Sequence, residues 1–374
     1  MKARTLAKIE GIVRPVISDV MSPENLIRFY SKGRRDFLEF LGDDRPESSY
    51  VPPESLKRTM WGLTFQGPLM NAAGMFKNGE RKYYEASARQ GAGAWLAGTA
   101  TALPREGNEV MSIAFPFVPY ARSRAASNYL GLPNDGDATI SRRLSTIGKL
   151  AGCPAGVSVM GAPELEGDGK LWALVSGMRY YEAAGVDFIE MNESCPNTGR
   201  RPQEDGLAER LSYVRDNFLA SRKRRLPAIA KFSNDTKVEQ VPGLMDLLFD
   251  TGFDGANFGN TSTDYKNLEY SINKRERELF NYFTKKFGGG VSGAPLKIRS
   301  FGLAAAAVKH VKENGPEREF HVWRTGGING LSDLAASDMI GVSMNQWYTG
   351  YFERFAKHGH RVYAELYERM SAKE

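Results

Sequence analysis

Cysteine and histidine are scarce in this chain of 374 residues, which has two cysteines and four histidines. Two cysteines, Cys153 and Cys195, exclude a disulfide framework and favour a reducing compartment. The histidines show no metal-ligand spacing, so no metal is predicted. The sequence also lacks paired carboxylates and a Gly-x-Ser-x-Gly turn, which argues against hydrolytic chemistry.

Long hydrophobic runs are absent as well. No apolar run reaches the ~18 residues that a membrane span needs, and no secretory signal is visible. The net charge is +6, but no basic segment with interleaved aromatic residues occurs, so nucleic acid is not an expected partner. The sequence therefore predicts a cytoplasmic globular protein, with a peripheral position on the inner face of the cytoplasmic membrane as an alternative. It does not predict the oligomeric state.

The first 45 residues differ from the rest of the chain. Apolar residues recur there every three or four positions, which predicts an amphipathic helix, and Ser22 with Pro23 predicts the start of a second helix. We therefore divide the chain into a helical extension, 1–45, and a main domain, 46–374. The extension is either a cap on that domain or a hairpin that rests on a membrane surface and frames an entrance for a lipophilic substrate.

From Gly62 onward, short apolar runs alternate with amphipathic helical stretches. This alternation predicts a parallel sheet, and eight strands predict an α/β protein with a (β/α)₈ TIM barrel. A doubly wound sheet is the alternative, but its Gly-rich dinucleotide turn after the first strand is missing. The predicted strands are 67–73, 93–99, 155–161, 186–192, 227–233, 253–259, 319–325 and 339–345.

Polar residues cluster where these strands end, which is where a barrel carries its chemistry. Amides, a thiol and two lysines suit a planar polar ligand better than a hydrolytic site. Backbone N–H groups can approach a phosphate only where side chains are small. Gly-containing turns near the end of the chain therefore predict a phosphate site. A single Gly-containing pair is more often just a tight turn. These turns are Ser292–Gly293, Gly326–Gly327 and Thr349–Gly350.

Nine segments give the chain a resemblance to the dihydroorotate dehydrogenase family, with the same order and similar spacing from about Gly62 to Thr349. That family consists of FMN-dependent (β/α)₈ barrels that oxidise (S)-dihydroorotate to orotate in pyrimidine (UMP) synthesis. The segments are NAAGMFKNGE, PREGN, NYLGLPN, MNESCPNTG, AKFSND, GNTST, GGGVSGAPL, RTGGI and WYTG.

The resemblance implies a role for individual residues. Cys195 matches the base that removes the C5 proton, and Thr198 matches a position linked to proton relay. Lys77 supplies a positive charge for the substrate carboxylate, and Lys231 lies near the flavin N1–C2 carbonyl. The implied substrate-binding residues are Lys77, Asn128, Asn192, Asn197, Asn260 and Thr261. The implied FMN-binding residues are Ala73, Gly74, Gly98, Thr99, Asn128, Asn192, Lys231, Ser292, Gly293, Gly326, Gly327, Tyr348 and Thr349.

The dihydroorotate dehydrogenase family has two classes, and this sequence has features of both. Cys195 and NYLGLPN are typical of soluble class 1 enzymes, whereas Lys77 and the helical extension are typical of membrane-associated, quinone-using class 2 enzymes. Gly98 stands where class 1 enzymes carry their own lysine. We favour a class 2 architecture with a class 1-like cysteine and a quinone acceptor, because Ser and Cys interchange by one substitution. Fumarate and NAD stay open as acceptors.

Departures from the family pattern leave alternatives. Ser158, Gly259, Phe76 and the long segment 264–287 allow a divergent FMN barrel that acts on another substrate, or one that binds a ligand without turnover. The tRNA dihydrouridine synthases are also FMN barrels with an Asn-x-x-Cys-Pro loop. They carry a C-terminal RNA-binding domain, for which residues 350–374 leave no room.

Overall fold

Eight parallel strands form the centre of the protein in the computed structural model, which describes residues 2–194 and 206–372. With strands numbered along the chain, their order is β3 (Leu69–Asn71), β15 (Met344–Trp347), β14 (His321–Thr325), β12 (Gly255–Phe258), β11 (Ala228–Phe232), β10 (Phe188–Asn192), β9 (Ala155–Val159) and β4 (Trp95–Ala100). A parallel bridge joins Phe76, in the segment that follows β3, to Ala97 of β4. The predicted (β/α)₈ barrel is therefore confirmed.

Helices surround the strands and also precede and follow them. They are α1 (Ala3–Val20), α2 (Pro23–Asp43), α3 (Arg81–Gln90), α4 (Asp137–Leu144), α5 (Gly167–Ala183), α6 (Leu207–Asn217), α7 (Val241–Asp250), α8 (Tyr265–Leu268), α9 (Arg277–Lys286), α10 (Lys297–Asn314), α11 (Leu331–Ile340), α12 (Thr349–His358) and α13 (Ala364–Ser371). No described helix is long and apolar enough to cross a membrane.

One predicted strand was misplaced. The segment 339–345 was expected to be the eighth strand, but Met339 and Ile340 end α11, and β15 begins only at Met344. Gly341 lies between them with φ of 98° and ends the helix in the left-handed conformation that glycine favours. The apolar pair thus belongs to a helix end, which a short apolar run does not distinguish from a strand.

Small sheets lie at both ends of the barrel. At the amino end, the hairpin of β1 (Arg58–Met60) and β2 (Leu63–Phe65) brings Met60, Trp61 and Phe65 against Phe188 and Trp323. At the carboxyl end, β7 (Phe117–Tyr120), β8 (Ala125–Asn128) and β13 (Gly290–Gly293) form an antiparallel sheet, while β5 (Glu109–Val110) pairs with β6 (Ile113–Ala114). The carboxyl-end sheet positions Asn128 and Ser292 near the strand ends.

The two N-terminal helices pack on the barrel as separate elements. The Ser22 side chain accepts a hydrogen bond from the Asn25 N–H, and Pro23 is the first residue of α2, as predicted. Helix α1 packs along α12, and α2 packs on β7. Leu26 and Ile27 of α2 share an apolar cluster with Phe280 and Phe283 of α9, so the long segment 264–287 helps to support α2.

Candidate active site

A cleft opens at the carboxyl ends of the barrel strands. Most of the residues predicted for FMN or substrate line it, and they come from segments far apart in sequence. They are Ala73, Gly74, Lys77, Thr99, Asn128, Asn192, Asn260, Thr261, Ser292, Gly293, Gly326, Gly327, Tyr348 and Thr349. The fold thus brings together residues that the sequence placed only at separate strand ends.

Hydrogen bonds fix the amides of this cleft. Asn192 Nδ2 donates to Thr99 Oγ1 at 3.0 Å, and its Oδ1 accepts from Ser194 Oγ at 2.9 Å. Asn260 Nδ2 donates to Ser194 Oγ at 2.9 Å. Asn128, across the cleft, donates from Nδ2 to the carbonyl of Gly290 at 3.0 Å. Amides held in this way are pre-oriented for the edges of a planar ligand, and Lys77 adds a positive charge to the same cleft.

Two predicted residues lie beneath the lining. Gly98 donates its N–H to the carbonyl of Lys77 at 2.9 Å and accepts from the N–H of Gly74 at 2.7 Å, so it ties two loops together. A Cβ at Gly98 would lie 2.3 Å from the carbonyl oxygen of Ser158, so only glycine fits. Lys231 is 1% exposed, and its Nζ lies 2.8 Å from Gln346 Oε1 and 3.3 Å from Glu190 Oε1.

A polar network that was not predicted from the sequence surrounds Lys231. Glu190 Oε2 accepts from Asn257 Nδ2 at 2.8 Å and from Gln346 Nε2 at 2.6 Å. Thr325 Oγ1 lies 2.9 Å from both Asn257 Oδ1 and Gln346 Oε1, and its single proton is donated to one of these two oxygens. A buried charge persists only with a partner, and Glu190 compensates Lys231 here. The available signal was a polar residue inside each of several otherwise apolar strands.

Backbone and small side chains form the opposite end of the cleft. Gly326 and Gly327 have φ of 108° and 71°, and a Cβ at Gly327 would lie 2.4 Å from the Lys297 backbone. Helix α12 begins there at Thr349, whose Oγ1 lies 2.9 Å from Ser292 Oγ. A helix N-terminus beside glycines and hydroxyls is a favourable environment for an anion.

The predicted base and two of its neighbours follow β10 in the sequence. Cys195, Asn197 and Thr198 lie outside the described residues. The other cysteine, Cys153, is buried in the main core, and burial raises the pKa of its thiol far above the usual range. Cys153 is therefore an inert core residue.

A second pocket lies between α1, α2 and α12, and it meets the cleft at Tyr348 and Thr349. Its lining is mostly apolar and includes Phe37, Phe117 and Phe352. Arg34 of α2 lies at the shared end, where its Nε donates to the Tyr348 hydroxyl at 2.7 Å and its Nη2 to the Gly74 carbonyl at 3.2 Å. No carboxylate within residues 2–194 and 206–372 pairs with Arg34.

Fold and site together define a (β/α)₈ barrel with a polar, glycine-lined cleft at the carboxyl ends of its strands, which is where barrel enzymes carry their active sites. The family model for dihydroorotate dehydrogenase matches residues 55–370. The chain therefore belongs to the dihydroorotate dehydrogenase family, as its sequence motifs predicted.

Relatives agree with this assignment, and a solved structure agrees with the fold. The chain is 30% identical over 297 residues to dihydroorotate dehydrogenase (quinone) of Parvibaculum lavamentivorans, covering 79% of this chain and 78% of that one. The corresponding protein of Alkalilimnicola ehrlichii is 28% identical over 92% of this chain and 95% of its own. The ligand-free structure of DHODH from Eimeria tenella has a TM-score of 0.74 at 20% identity, covering 90% of this chain and 92% of that chain, and supports the fold.

Proposed function

We propose that this protein oxidises (S)-dihydroorotate to orotate in pyrimidine biosynthesis, with bound FMN and a quinone as electron acceptor. The observation that carries the proposal is the junction of two sites. A polar cleft with fixed amides and Lys77 meets a largely apolar pocket at Tyr348 and Thr349. Such an arrangement gives separate access to a small polar donor and a lipophilic acceptor.

The residues of the cleft fit FMN. The backbone at Gly326–Gly327 and the start of α12 suit its phosphate, and a Cβ at Gly350 would lie 2.2 Å from the Ile328 carbonyl, so this end accepts only a small residue. Thr99, Asn128 and Asn192 lie toward the ring end, with Lys231 and Gln346 beneath them. When bound, FMN supplies hydride acceptance from dihydroorotate and electron transfer to the quinone.

Dihydroorotate carries a carboxylate and ring amides, and the cleft offers a partner for each. Lys77 provides the cation for the carboxylate. Asn128, Asn192 and Asn260, with Thr261, provide donors and acceptors for the ring. Cys195 is the proposed base for the C5 proton, with Thr198 as its relay and Asn197 as a further substrate contact.

The apolar pocket suits a quinone. Its shared end carries the Arg34 guanidinium, which has no carboxylate partner in the described chain and can donate to a quinone carbonyl. Arg34 also lies over the rings of Phe117 and Tyr348, at 5.8 and 5.7 Å from their centroids, and these contacts hold it in place.

The outer surface of α1 supports peripheral membrane contact. Ile12, Val16 and Val20 are 67%, 62% and 76% exposed and continue one apolar face. Such a face can lie in the interfacial layer of a bilayer and open the neighbouring pocket to lipid-dissolved quinone. We infer a peripheral position on the cytoplasmic membrane.

Anaerobic stopped-flow spectroscopy tests the proposed function. The purified protein is mixed with dihydroorotate, and flavin absorbance near ~450 nm is followed, since the cofactor reports reduction directly. We expect rapid bleaching, then recovery when a quinone is added. A yellow protein that ignores dihydroorotate but is bleached by dithionite would exclude this substrate and favour a divergent FMN barrel. Tight tRNA binding at low salt would favour the tRNA-modifying alternative.

A further inference from the structure

A charged cluster interrupts the apolar wall of the pocket between α1, α2 and α12. Glu10 and Arg14 of α1 form a two-point ion pair with both N–O distances at 2.5 Å. The Tyr30 hydroxyl of α2 donates to Glu10 Oε1 at 2.9 Å. Glu353 of α12 lines the same pocket and is not part of this pair. Ionised groups in an apolar wall are costly, so each requires a reason.

Glu353 stands between the pocket and solvent. Its side chain is 19% exposed, and its Oε2 accepts from Arg124 Nε at 3.1 Å, while the Arg124 side chain is 54% exposed. On the other side, Glu353 follows Thr349 by one helical turn, so the two share a face of α12. Thr349 lies where the pocket meets the cleft.

The charges that face Glu353 come from three elements. Arg124 lies in the turn before β8, Arg14 in α1, and Lys357 one turn onward in α12. Burial outweighs these three cations and raises the pKa of Glu353 above its ordinary value. A carboxyl of this kind keeps a proton nearer to neutral pH than an exposed one.

We propose that Glu353 delivers protons from solvent to the quinone during its reduction. This inference rests on the proposed quinone acceptor. Conversion of a quinone to a quinol adds two electrons and two protons, one to each carbonyl oxygen. Two electrons and one proton reach the quinone from the reduced enzyme, as the equivalent of the hydride taken from dihydroorotate, whereas the C5 proton leaves to the base in the cleft. The acceptor side must therefore take up one further proton from solvent. Glu353 gives this proton to the second quinone oxygen, directly or through water, and regains one from solvent beside Arg124.

The acceptor reaction is tested without dihydroorotate. The FMN-loaded protein is reduced with dithionite and mixed with a short-chain ubiquinone at several pH values. We expect Glu353→Gln to reoxidise at least ~10-fold more slowly and to lose the alkaline decline of the wild-type rate, and Glu353→Asp to recover much of the rate. The matched control is Glu39→Gln, at an exposed carboxylate of α2 that does not line the pocket, which should behave as wild type.

A second readout does not depend on turnover. Infrared titration should reveal a carboxyl band that persists to higher pH than that of an exposed glutamate and that Glu353→Gln lacks. A Glu353→Gln protein with the wild-type rate and pH profile would overturn the proposal. So would a loss seen only as weaker quinone binding, which would make Glu353 a packing residue. Dithionite, and not dihydroorotate, reduces the flavin in this experiment. A failure of dihydroorotate to bleach the flavin would therefore contradict the proposed substrate and leave the test of Glu353 unaffected.

Discussion

Cys195 is the residue on which the proposed chemistry depends most. Asn192 and Ser194, which precede it, already form the hydrogen-bonded edge of the cleft. We expect Cys195→Ala to slow flavin reduction by dihydroorotate ~10²- to 10⁴-fold, because a general base is lost, while FMN stays bound. Stopped-flow rates and the flavin-to-protein absorbance ratio measure the two effects. The control is Cys153→Ala, in the core, whose flavin should be reduced by dihydroorotate at the wild-type rate. If Cys195→Ala loses FMN, Cys195 has a structural role instead.

Gly259 explains one departure from the family pattern in terms of this chain's own packing. It has φ of 106°, and a Cβ there would lie 1.8 Å from the carbonyl oxygen of Thr325. Strands β12 and β14 therefore approach too closely for any side chain at this position.

A Gly259→Ala substitution should destabilise the protein by about 2–4 kcal/mol, since it adds both overlap and backbone strain. Urea unfolding measures the loss. The control is Gly243→Ala on the exposed side of α7, where a Cβ would meet nothing within 4 Å and a gain of up to ~1 kcal/mol is expected. Equal stability of the two variants would contradict the argument.

At the scale of elements, α1 has two apolar faces, one toward the pocket and one toward solvent. Val13 and Ile17 line the pocket, whereas Ile12 and Val16 do not and point to solvent. The outward face can therefore be changed without altering the pocket.

We expect Ile12→Asp with Val16→Asp to abolish binding to anionic phospholipid vesicles, because two charges replace the apolar contact. Flavin reduction by dihydroorotate should stay unchanged, and reduction of a water-soluble quinone should stay near wild type. Vesicle co-sedimentation and stopped-flow rates are the measurements. Met339→Asp, at an equally exposed apolar residue of α11, should bind vesicles as wild type does. If the double variant still sediments with vesicles, α1 is only a cap.

The elements themselves were largely predictable, because each barrel strand is a short apolar run between helical stretches. The order of motifs then placed Asn128 and Asn260 in one site before any contact was known. Two things were not predictable. The pairing of Lys231 with Glu190 depends on which strands become neighbours, and the approach of Arg34 to Tyr348 depends on how α2 docks. Both are contacts between distant segments, which periodicity does not specify.

At the scale of the whole molecule, one buried carboxyl makes stability depend on pH. Asp137 begins α4 and is 3% exposed, and it accepts from the Tyr181 hydroxyl of α5 at 2.7 Å. Burial raises the pKa of Asp137 to about 6, although the hydrogen bond from Tyr181 opposes this change. An unfolded aspartate has a pKa of about 3.9. The folded state thus binds the proton more tightly, so this contribution to stability is complete below about pH 4 and is lost as the pH rises through about 6.

Replacement of Asp137 with Asn removes this titration from the folding equilibrium. Between pH 4 and 7, the wild-type free energy of unfolding should fall by roughly 2 kcal/mol relative to that of Asp137→Asn, because the folded and unfolded pKa values of Asp137 differ by about 2, each pH unit is equivalent to ~1.4 kcal/mol, and the unfolded carboxyl is already partly ionised at pH 4. Urea unfolding of both proteins at both pH values measures this change. Any effect of the amide on stability that is the same at pH 4 and pH 7 cancels in the comparison. Asp168→Asn, at an exposed carboxylate of α5, should change by less than ~0.5 kcal/mol over the same range. A parallel pH dependence of wild type and Asp137→Asn would mean that Asp137 is ionised in the folded protein, and the contact between α4 and α5 would then have to hold a buried charge.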